Sequence, residues 1–177
     1  MLKKILEIKD IPEEIVTTPV GELLQYHNLK IPFKNYKSAE LLIAMCMDNR
    51  KQICIPENFA YIIRTGGGNL RHAEFKVSYV IAIGGVTHIA LIAHNNCGMV
   101  NLVSKKEDFI AGLVKNAGWS KEKAEEHFIN FAPMFEIENE IDFVVTEAKR
   151  LNAKYPKILV VPLFYNLDDN LLYYIKE

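Results

Sequence analysis

The sequence lacks the features that mark several protein classes. Its 177 residues include only three cysteines, at positions 46, 54 and 97. This odd, low count argues against a disulfide framework, and no C-x-x-C pair is present to suggest a redox site. No apolar run approaches the ~20 residues of a membrane-spanning helix. The first residues have neither the apolar stretch nor the cleavage site of a secretory signal, so we expect a cytoplasmic protein with reduced thiols.

An excess of one charge is also missing. The chain carries 21 Lys and Arg against 22 Asp and Glu, for a net charge of −1. This balance gives no electrostatic footprint for nucleic acid or a membrane surface, so neither is an expected partner. No internal repeat or low-complexity tract divides the chain. We therefore predict one domain over residues 1–177, with residues 1–37 as an N-terminal arm that packs on the outside, against this chain or a partner subunit.

Continuous apolar runs separated by helical patterns predict an α/β fold. Runs without polar alternation are typical of strands that are covered on both faces. The predicted strands are 41–46, 59–64, 87–93, 158–161 and 171–175. A short helix is predicted to open near Pro12, and longer helices are predicted over 70–84, 99–135 and 138–152. The segment 99–135 is expected to break near Gly118 and Pro133. The pattern predicts a central, mostly parallel sheet of four to five strands flanked by α-helices.

Metal-binding side chains stand at the ends of two predicted strands. Cys46 ends the first strand, and His94-Asn95-Asn96-Cys97-Gly98 ends the third. Open α/β sheets place their chemistry at this edge, and two cysteines with one histidine make a three-ligand zinc set with an open fourth position. A single cysteine in a strand is more often a small core residue, so only the two motifs together predict a metal site.

Asp48 and Arg50 directly follow the strand that carries Cys46. The two side chains can pair through a forked hydrogen bond. One interpretation is a solvated loop in which Asp48 caps the next segment. The other is an ion pair at the mouth of a metal site.

The remaining candidates carry weaker signals. Thr65-Gly66-Gly67-Gly68-Asn69 lacks the G-x-G-x-x-G pattern of a dinucleotide site, so we expect its glycines to allow close approach beside the site. Cys54 lies between two isoleucines and is predicted to be a core residue. His88 and His127 are predicted to be structural or exposed. His72 follows the glycine-rich loop and is a candidate proton carrier.

These residues resemble the β-class carbonic anhydrases. The marks of that family are Cys-x-Asp-x-Arg after the first core strand, an Arg-Asn-Ala-Gly-like loop after the second, and His-x-x-Cys-Gly after the third. They stand here as Cys46-Met47-Asp48-Asn49-Arg50, Arg64-Thr65-Gly66-Gly67 and His94-Asn95-Asn96-Cys97-Gly98. The sequence is most similar to the short subgroup of archaea and many bacteria, chiefly over residues 38–104.

The resemblance implies an enzyme. Cys46, His94 and Cys97 would hold Zn²⁺ with water as the fourth ligand, and zinc-bound hydroxide would convert carbon dioxide reversibly to bicarbonate and a proton. Asp48 and Arg50 would be catalytic: Asp48 accepts the hydrogen bond of the hydroxide, or occupies the fourth zinc position in an inactive state that Arg50 breaks. Family members are dimers or higher assemblies, which implies a homodimer or larger homo-oligomer.

Two alternatives remain open at the sequence level. Enzymes that hydrolyse carbonyl sulfide or carbon disulfide resemble this family and keep its metal ligands. A non-catalytic protein, with structural zinc or a thiol-based redox role, is the second alternative. A structural zinc site usually has four protein ligands.

Overall fold

A computed structural model describes residues 1–176 and places the apolar runs in one six-stranded sheet with the order β1-β6-β5-β4-β2-β3. The strands are β1 (Leu2–Lys4), β2 (Leu41–Cys46), β3 (Ala60–Thr65), β4 (His88–His94), β5 (Leu159–Asn166) and β6 (Leu171–Ile175). The four strands β3, β2, β4 and β5 are parallel, whereas β6 and β1 are added antiparallel at one side. The predicted α/β class with a mostly parallel sheet is confirmed.

Five α-helices accompany the sheet. They are α1 (Pro19–Leu29), α2 (Glu74–Ala82), α3 (Lys106–Ala117), α4 (Lys121–Phe135) and α5 (Glu140–Lys154). Local chemistry fixes several of their ends: Asn139 caps α5 by accepting two backbone N–H groups, and α3 ends at Gly118 in the left-handed conformation. No helix within residues 1–176 is long and apolar enough to cross a bilayer.

The sheet is covered on both faces, which explains its unbroken apolar strands. One face packs beneath α2 and α5, where Leu42, Ala44 and Leu91 are buried. The opposite face packs beneath α1 and the first residues of the chain, where Ile43 and Met45 are buried. Because the four central strands are parallel, their carboxyl ends meet at one edge of the sheet, beyond both cores.

The structure corrects some predicted boundaries. The sheet has a sixth strand, β1, which comes from the expected N-terminal arm and pairs with β6. The helix expected to open near Pro12 is wrong: residues 13–17 form turns, and α1 begins at Pro19. The break predicted near Pro133 is also wrong, since Pro133 lies inside α4. There the helical hydrogen bonding resumes at once, because the Glu136 N–H donates to the Ala132 carbonyl at 3.0 Å.

Candidate metal centre

The sheet brings three metal-capable side chains together at its carboxyl edge. Cys46 is the last residue of β2 and His94 the last of β4, and these two strands are neighbours. Cys97 follows three residues later on the loop after β4. The two sulfurs are 3.8 Å apart, and the ligand atoms of all three residues lie within 4.8 Å of one another. All three residues are buried, so the cluster that the sequence predicted does form.

The histidine of this cluster presents an unsatisfied nitrogen. His94 Nδ1 lies 2.8 Å from the Asn95 carbonyl, which makes Nδ1 the donor and leaves Nε2 as an acceptor. Nε2 is buried and has no hydrogen-bond partner among the described residues. A buried acceptor without a partner costs free energy, and a metal ligand is the usual role of such a nitrogen. The three residues therefore fit a metal ion with one nitrogen and two sulfur ligands.

The two thiols influence each other's ionisation. The hydrogen bond from Cys97 lowers the pKa of Cys46 well below its usual range, and the positive charge of Lys51 acts in the same direction. Thiolates are the form of cysteine that binds zinc. The surroundings of Cys46 thus favour the ligating form.

The loop that carries Cys97 is held by hydrogen bonds to distant parts of the chain. The Cys97 N–H donates to Glu140 Oε1 at 3.2 Å, and Asn95 Oδ1 accepts the Leu167 N–H at 2.8 Å. Asn96 between them adopts a left-handed conformation with φ of 54°, which asparagine tolerates better than most residues. These contacts position the second cysteine relative to the end of β2.

Asp48 and Arg50 form a forked ion pair beside the cluster. Arg50 Nε donates to Asp48 Oδ1 at 3.0 Å, and Arg50 Nη2 donates to Oδ2 at 2.6 Å. This pairing holds the pKa of Asp48 well below its usual range. Arg50 Nη2 also donates to the Asn96 carbonyl at 2.9 Å. The arginine therefore joins the loop after β2 to the loop that carries the second cysteine.

Two further basic residues adjoin the site: Lys51, which no sequence motif indicates, and Arg64, which the sequence indicates only as part of the family-like loop Arg64-Thr65-Gly66-Gly67. Lys51 is buried although it follows the exposed Arg50. Arg64, near the end of β3, donates to the carbonyl oxygens of Asp48 and Lys51 at 3.3 and 3.1 Å. Glu140 was missed as well, because no local pattern indicates that a helix start 43 residues away contacts Cys97.

An apolar cavity of about 240 Å³ lies next to the cluster, between the loops and the α3–α4 pair. Met47 and Met99, which flank the two cysteines in sequence, form one wall, and Phe109, Phe128 and Phe131 form another. Gly66 also lines it, and a Cβ there would lie 3.0 Å from Met99 Sδ. The absence of a side chain at Gly66 thus allows Met99 and Phe135 to pack closely there. Gly67 and Gly68 instead adopt positive φ angles of 62° and 74°, which favour glycine for conformational reasons.

The other predicted candidates lie outside the cluster. Cys54 is half-buried, and its N–H donates to His27 Nδ1 at 3.1 Å. His72 is exposed and its ring packs 5.8 Å from that of Phe135. His88 contacts Thr87 Oγ1 at 2.9 Å, and His127 belongs to an aromatic group on the α3–α4 pair.

Comparison with solved structures identifies the fold. A carbonic anhydrase from Glaciozyma antarctica is 16% identical with a TM-score of 0.62, over 92% of this chain and 98% of that one. The β-carbonic anhydrase isoform I of Trichomonas vaginalis is 18% identical with a TM-score of 0.62, over 92% and 96% of the chains. The apo form of a carbon disulfide hydrolase is 18% identical with a TM-score of 0.53, over 86% and 84%.

No protein-family model matches the sequence, and no curated protein is similar enough in sequence to count as a relative. The structural likeness extends over nearly the whole chain. The chain therefore has the β-carbonic anhydrase fold, as the resemblance in its motifs implied.

Proposed function

We propose that the protein is a zinc-dependent carbonic anhydrase that hydrates carbon dioxide reversibly to bicarbonate and a proton. The observation that carries this proposal is the buried cluster of Cys46, His94 and Cys97, whose histidine presents an unpartnered Nε2. In this proposal these three residues bind zinc. Three protein ligands leave a position for a reacting water, which is typical of catalytic rather than structural zinc sites.

Zinc, when bound, supplies Lewis acidity that makes a coordinated water reactive near neutral pH. The residues of the chain then orient the reactants. We assign to Asp48 the role of hydrogen-bond acceptor for the reacting water, and to Arg50 the role of holding this carboxylate. The forked ion pair supports both roles, because both oxygens of Asp48 are bound by Arg50. The same pairing opposes the inactive state in which Asp48 would occupy the fourth metal position.

The apolar cavity beside the cluster supports a small nonpolar substrate. Its walls are mostly methionine and phenylalanine side chains, with His127 as the one polar side chain that residues 1–176 contribute, so they offer few polar partners to a charged molecule. Carbon dioxide is uncharged and has no net dipole, so such a cavity can admit it while disfavouring larger polar solutes. The product, bicarbonate, is anionic, so the apolar walls disfavour its retention in the cavity.

Stopped-flow measurement of carbon dioxide hydration tests this proposal. The zinc-loaded protein should accelerate hydration, and His94→Ala should abolish both zinc binding and the acceleration. His72→Ala, at an exposed histidine outside the cluster, should leave zinc content unchanged. Zinc binding without any acceleration would contradict the enzymatic proposal and favour a non-catalytic zinc protein.

Hydrolysis of carbonyl sulfide or carbon disulfide is the second candidate. It is favoured by the likeness to a carbon disulfide hydrolase, although the TM-score of 0.53 is lower than those of the two carbonic anhydrases above. These sulfur substrates are also small and nonpolar, so the same cavity would admit them. Measurement of sulfide release alongside carbon dioxide hydration separates the two activities.

The proposal includes a homo-oligomer that works in the cytoplasm. Phe75 and Tyr79 on α2 and Ile83 at its C-terminal cap form an exposed apolar stripe, and β3 is an edge strand of the sheet. A two-fold contact between copies would pair this open edge with itself and cover the stripe. The cytoplasmic location is supported by the three cysteines, all of which have free thiols.

A further inference from the structure

Lys51 is the one buried lysine within residues 1–176, with 1% of its surface exposed. It follows Arg50 directly and therefore belongs to the loop that leaves the metal-binding end of β2. A lysine ammonium is strongly hydrated in water, so its burial is unfavourable unless negative charges or acceptors surround it. Its position needs an explanation that the proposed roles of Asp48 and Arg50 do not provide.

The ammonium group has few hydrogen-bond partners in the protein. Its single acceptor among the described residues is the Asp48 carbonyl, at the long distance of 3.4 Å. Arg64 Nη1 donates to the same carbonyl at 3.3 Å and competes for it. A lysine ammonium carries three N–H groups. Most of the hydrogen-bonding capacity of Lys51 is thus unused, although the side chain is buried.

The negatively charged neighbours of Lys51 are the groups of the metal centre. Burial lowers the pKa of Lys51, whereas negative charges on Cys46, Asp48 and Cys97 raise it. The positive charge of Lys51 in turn helps to lower the pKa of Cys46 and opposes the rise in the pKa of Cys97 that its hydrogen bond with Cys46 causes. The ammonium therefore lies within electrostatic reach of both sulfur ligands and of the carboxylate.

The charge balance of the loaded site indicates what the free N–H groups bind. Two thiolates cancel the double charge of a zinc ion, and Asp48 is already paired with Arg50. Glu140 and Arg64 also adjoin the site, and their opposite charges balance each other. The charge of Lys51 then remains uncompensated inside the protein. A monovalent anion at the metal would neutralise it and accept its N–H groups at the same time.

We propose that Lys51 is an anion-binding residue of the metal centre, which recognises bicarbonate and other small monovalent anions at the open metal position. This inference rests on the proposed function, because it requires a metal at Cys46, His94 and Cys97. It assigns to the buried lysine a role in binding the anionic product, distinct from the positioning role of Arg50.

Anion titration of the cobalt(II)-substituted protein tests the proposal without an activity measurement. Visible absorption reports ligand binding at the metal, with azide as the anionic probe and imidazole as the neutral one. In Lys51→Met the dissociation constant for azide should rise at least about tenfold, as expected for loss of a charged hydrogen bond. The constant for imidazole should stay within about twofold. Lys115→Met, at an exposed lysine on α3, is the matched control and should behave as the wild type.

Each contrary result has a defined meaning. Unchanged azide affinity in Lys51→Met overturns the anion role but leaves the proposed function intact if the wild type binds zinc and hydrates carbon dioxide. Equal weakening of azide and imidazole shows that Lys51 only supports the fold of the site. If Lys51→Met does not bind cobalt(II), Lys51→Gln is measured in its place. Failure of both variants to bind cobalt(II) also overturns the anion role. A wild type that binds no metal overturns the proposed function itself.

Discussion

Arg50 links three parts of the candidate site at once. It binds both oxygens of Asp48, and it donates to the Asn96 carbonyl on the loop that carries Cys97. Its side chain is nevertheless half exposed. The energy of such a pair is modest at the protein surface, so its value lies in geometry. The pair fixes where the carboxylate points.

Replacement of this arginine should separate activity from metal binding. We expect Arg50→Ala to lower the rate of carbon dioxide hydration by about 10- to 100-fold, the usual range for residues that orient a metal site. Zinc content should remain as in the wild type, because Arg50 contacts none of the three ligand atoms. Stopped-flow rates and zinc analysis of one preparation give both quantities. Loss of zinc in this variant contradicts the assigned role.

Glu140 supports the metal site from the first turn of α5. Its carboxylate accepts the Cys97 N–H, so Glu140→Ala removes the acceptor and loosens the loop. We expect the affinity for zinc to fall by about tenfold, as measured by competition with a chromogenic chelator. Glu140→Gln keeps an acceptor oxygen and should lie close to the wild type. Equal affinities in Glu140→Ala and the wild type would show that this contact is dispensable.

The sequence predicts the residues with metal chemistry better than those around them. Cys46, His94 and Cys97 were predicted because strand ends in parallel sheets converge and because these side chains ligate zinc. The roles of Asp48 and Arg50 depended on the family resemblance. Lys51 and Glu140 carry no local signal: a lysine after an arginine looks solvated, and the contact of Glu140 with Cys97 is nonlocal.

At the scale of elements, the core strands and the long helices follow from apolar patterns, whereas short or irregular elements do not. β1 contains two lysines in three residues and forms only because β6 offers an open edge. Pro133 should end a helix by its missing N–H, yet α4 continues to Phe135, whose side chain lines the apolar cavity. Tertiary contacts override the local preference in both cases.

His27 ties α1 to two other segments and makes the fold sensitive to acid. Its Nδ1 accepts the Cys54 N–H, and its Nε2 donates to the Asn170 carbonyl at 3.0 Å. Burial lowers the pKa of His27 from 6.5 to about 4. Between pH 6.5 and pH 4, His27 is largely protonated in the unfolded chain but largely neutral in the folded one. This group therefore destabilises the fold progressively as the pH falls from about 6.5 to about 4.

The free energy of unfolding that is lost through His27 should reach about 3 kcal/mol when the pH has fallen to about 4. Urea unfolding at pH 7 and pH 4.5 measures it as a difference between variants. His27→Gln should be less stable than the wild type at pH 7 but should lose less stability on acidification. His72→Gln, at an exposed site, should keep the wild-type pH dependence. Parallel losses in the wild type and His27→Gln would contradict this role.

At the scale of the whole molecule, the exposed stripe on α2 sets an expectation for assembly. Phe75 on α2 and Ile83 at the C-terminal cap of that helix are 81% and 71% exposed, which is unusual for large apolar side chains in one stripe. We expect the wild type to sediment as a dimer or a larger oligomer. A double variant, Phe75→Glu with Ile83→Glu, should sediment as a folded monomer. A wild type that is monomeric at micromolar concentration contradicts the proposed assembly.

The central claim is that Cys46, His94 and Cys97 bind the zinc ion that supports carbon dioxide hydration, and a comparison of Cys46 with Cys54 provides its most direct test. Zinc content and hydration rate should be measured on the wild type, Cys46→Ser and Cys54→Ser prepared in parallel. We expect one zinc per chain and full activity in the wild type and in Cys54→Ser, and loss of both in Cys46→Ser. Zinc and activity that survive in Cys46→Ser would contradict it.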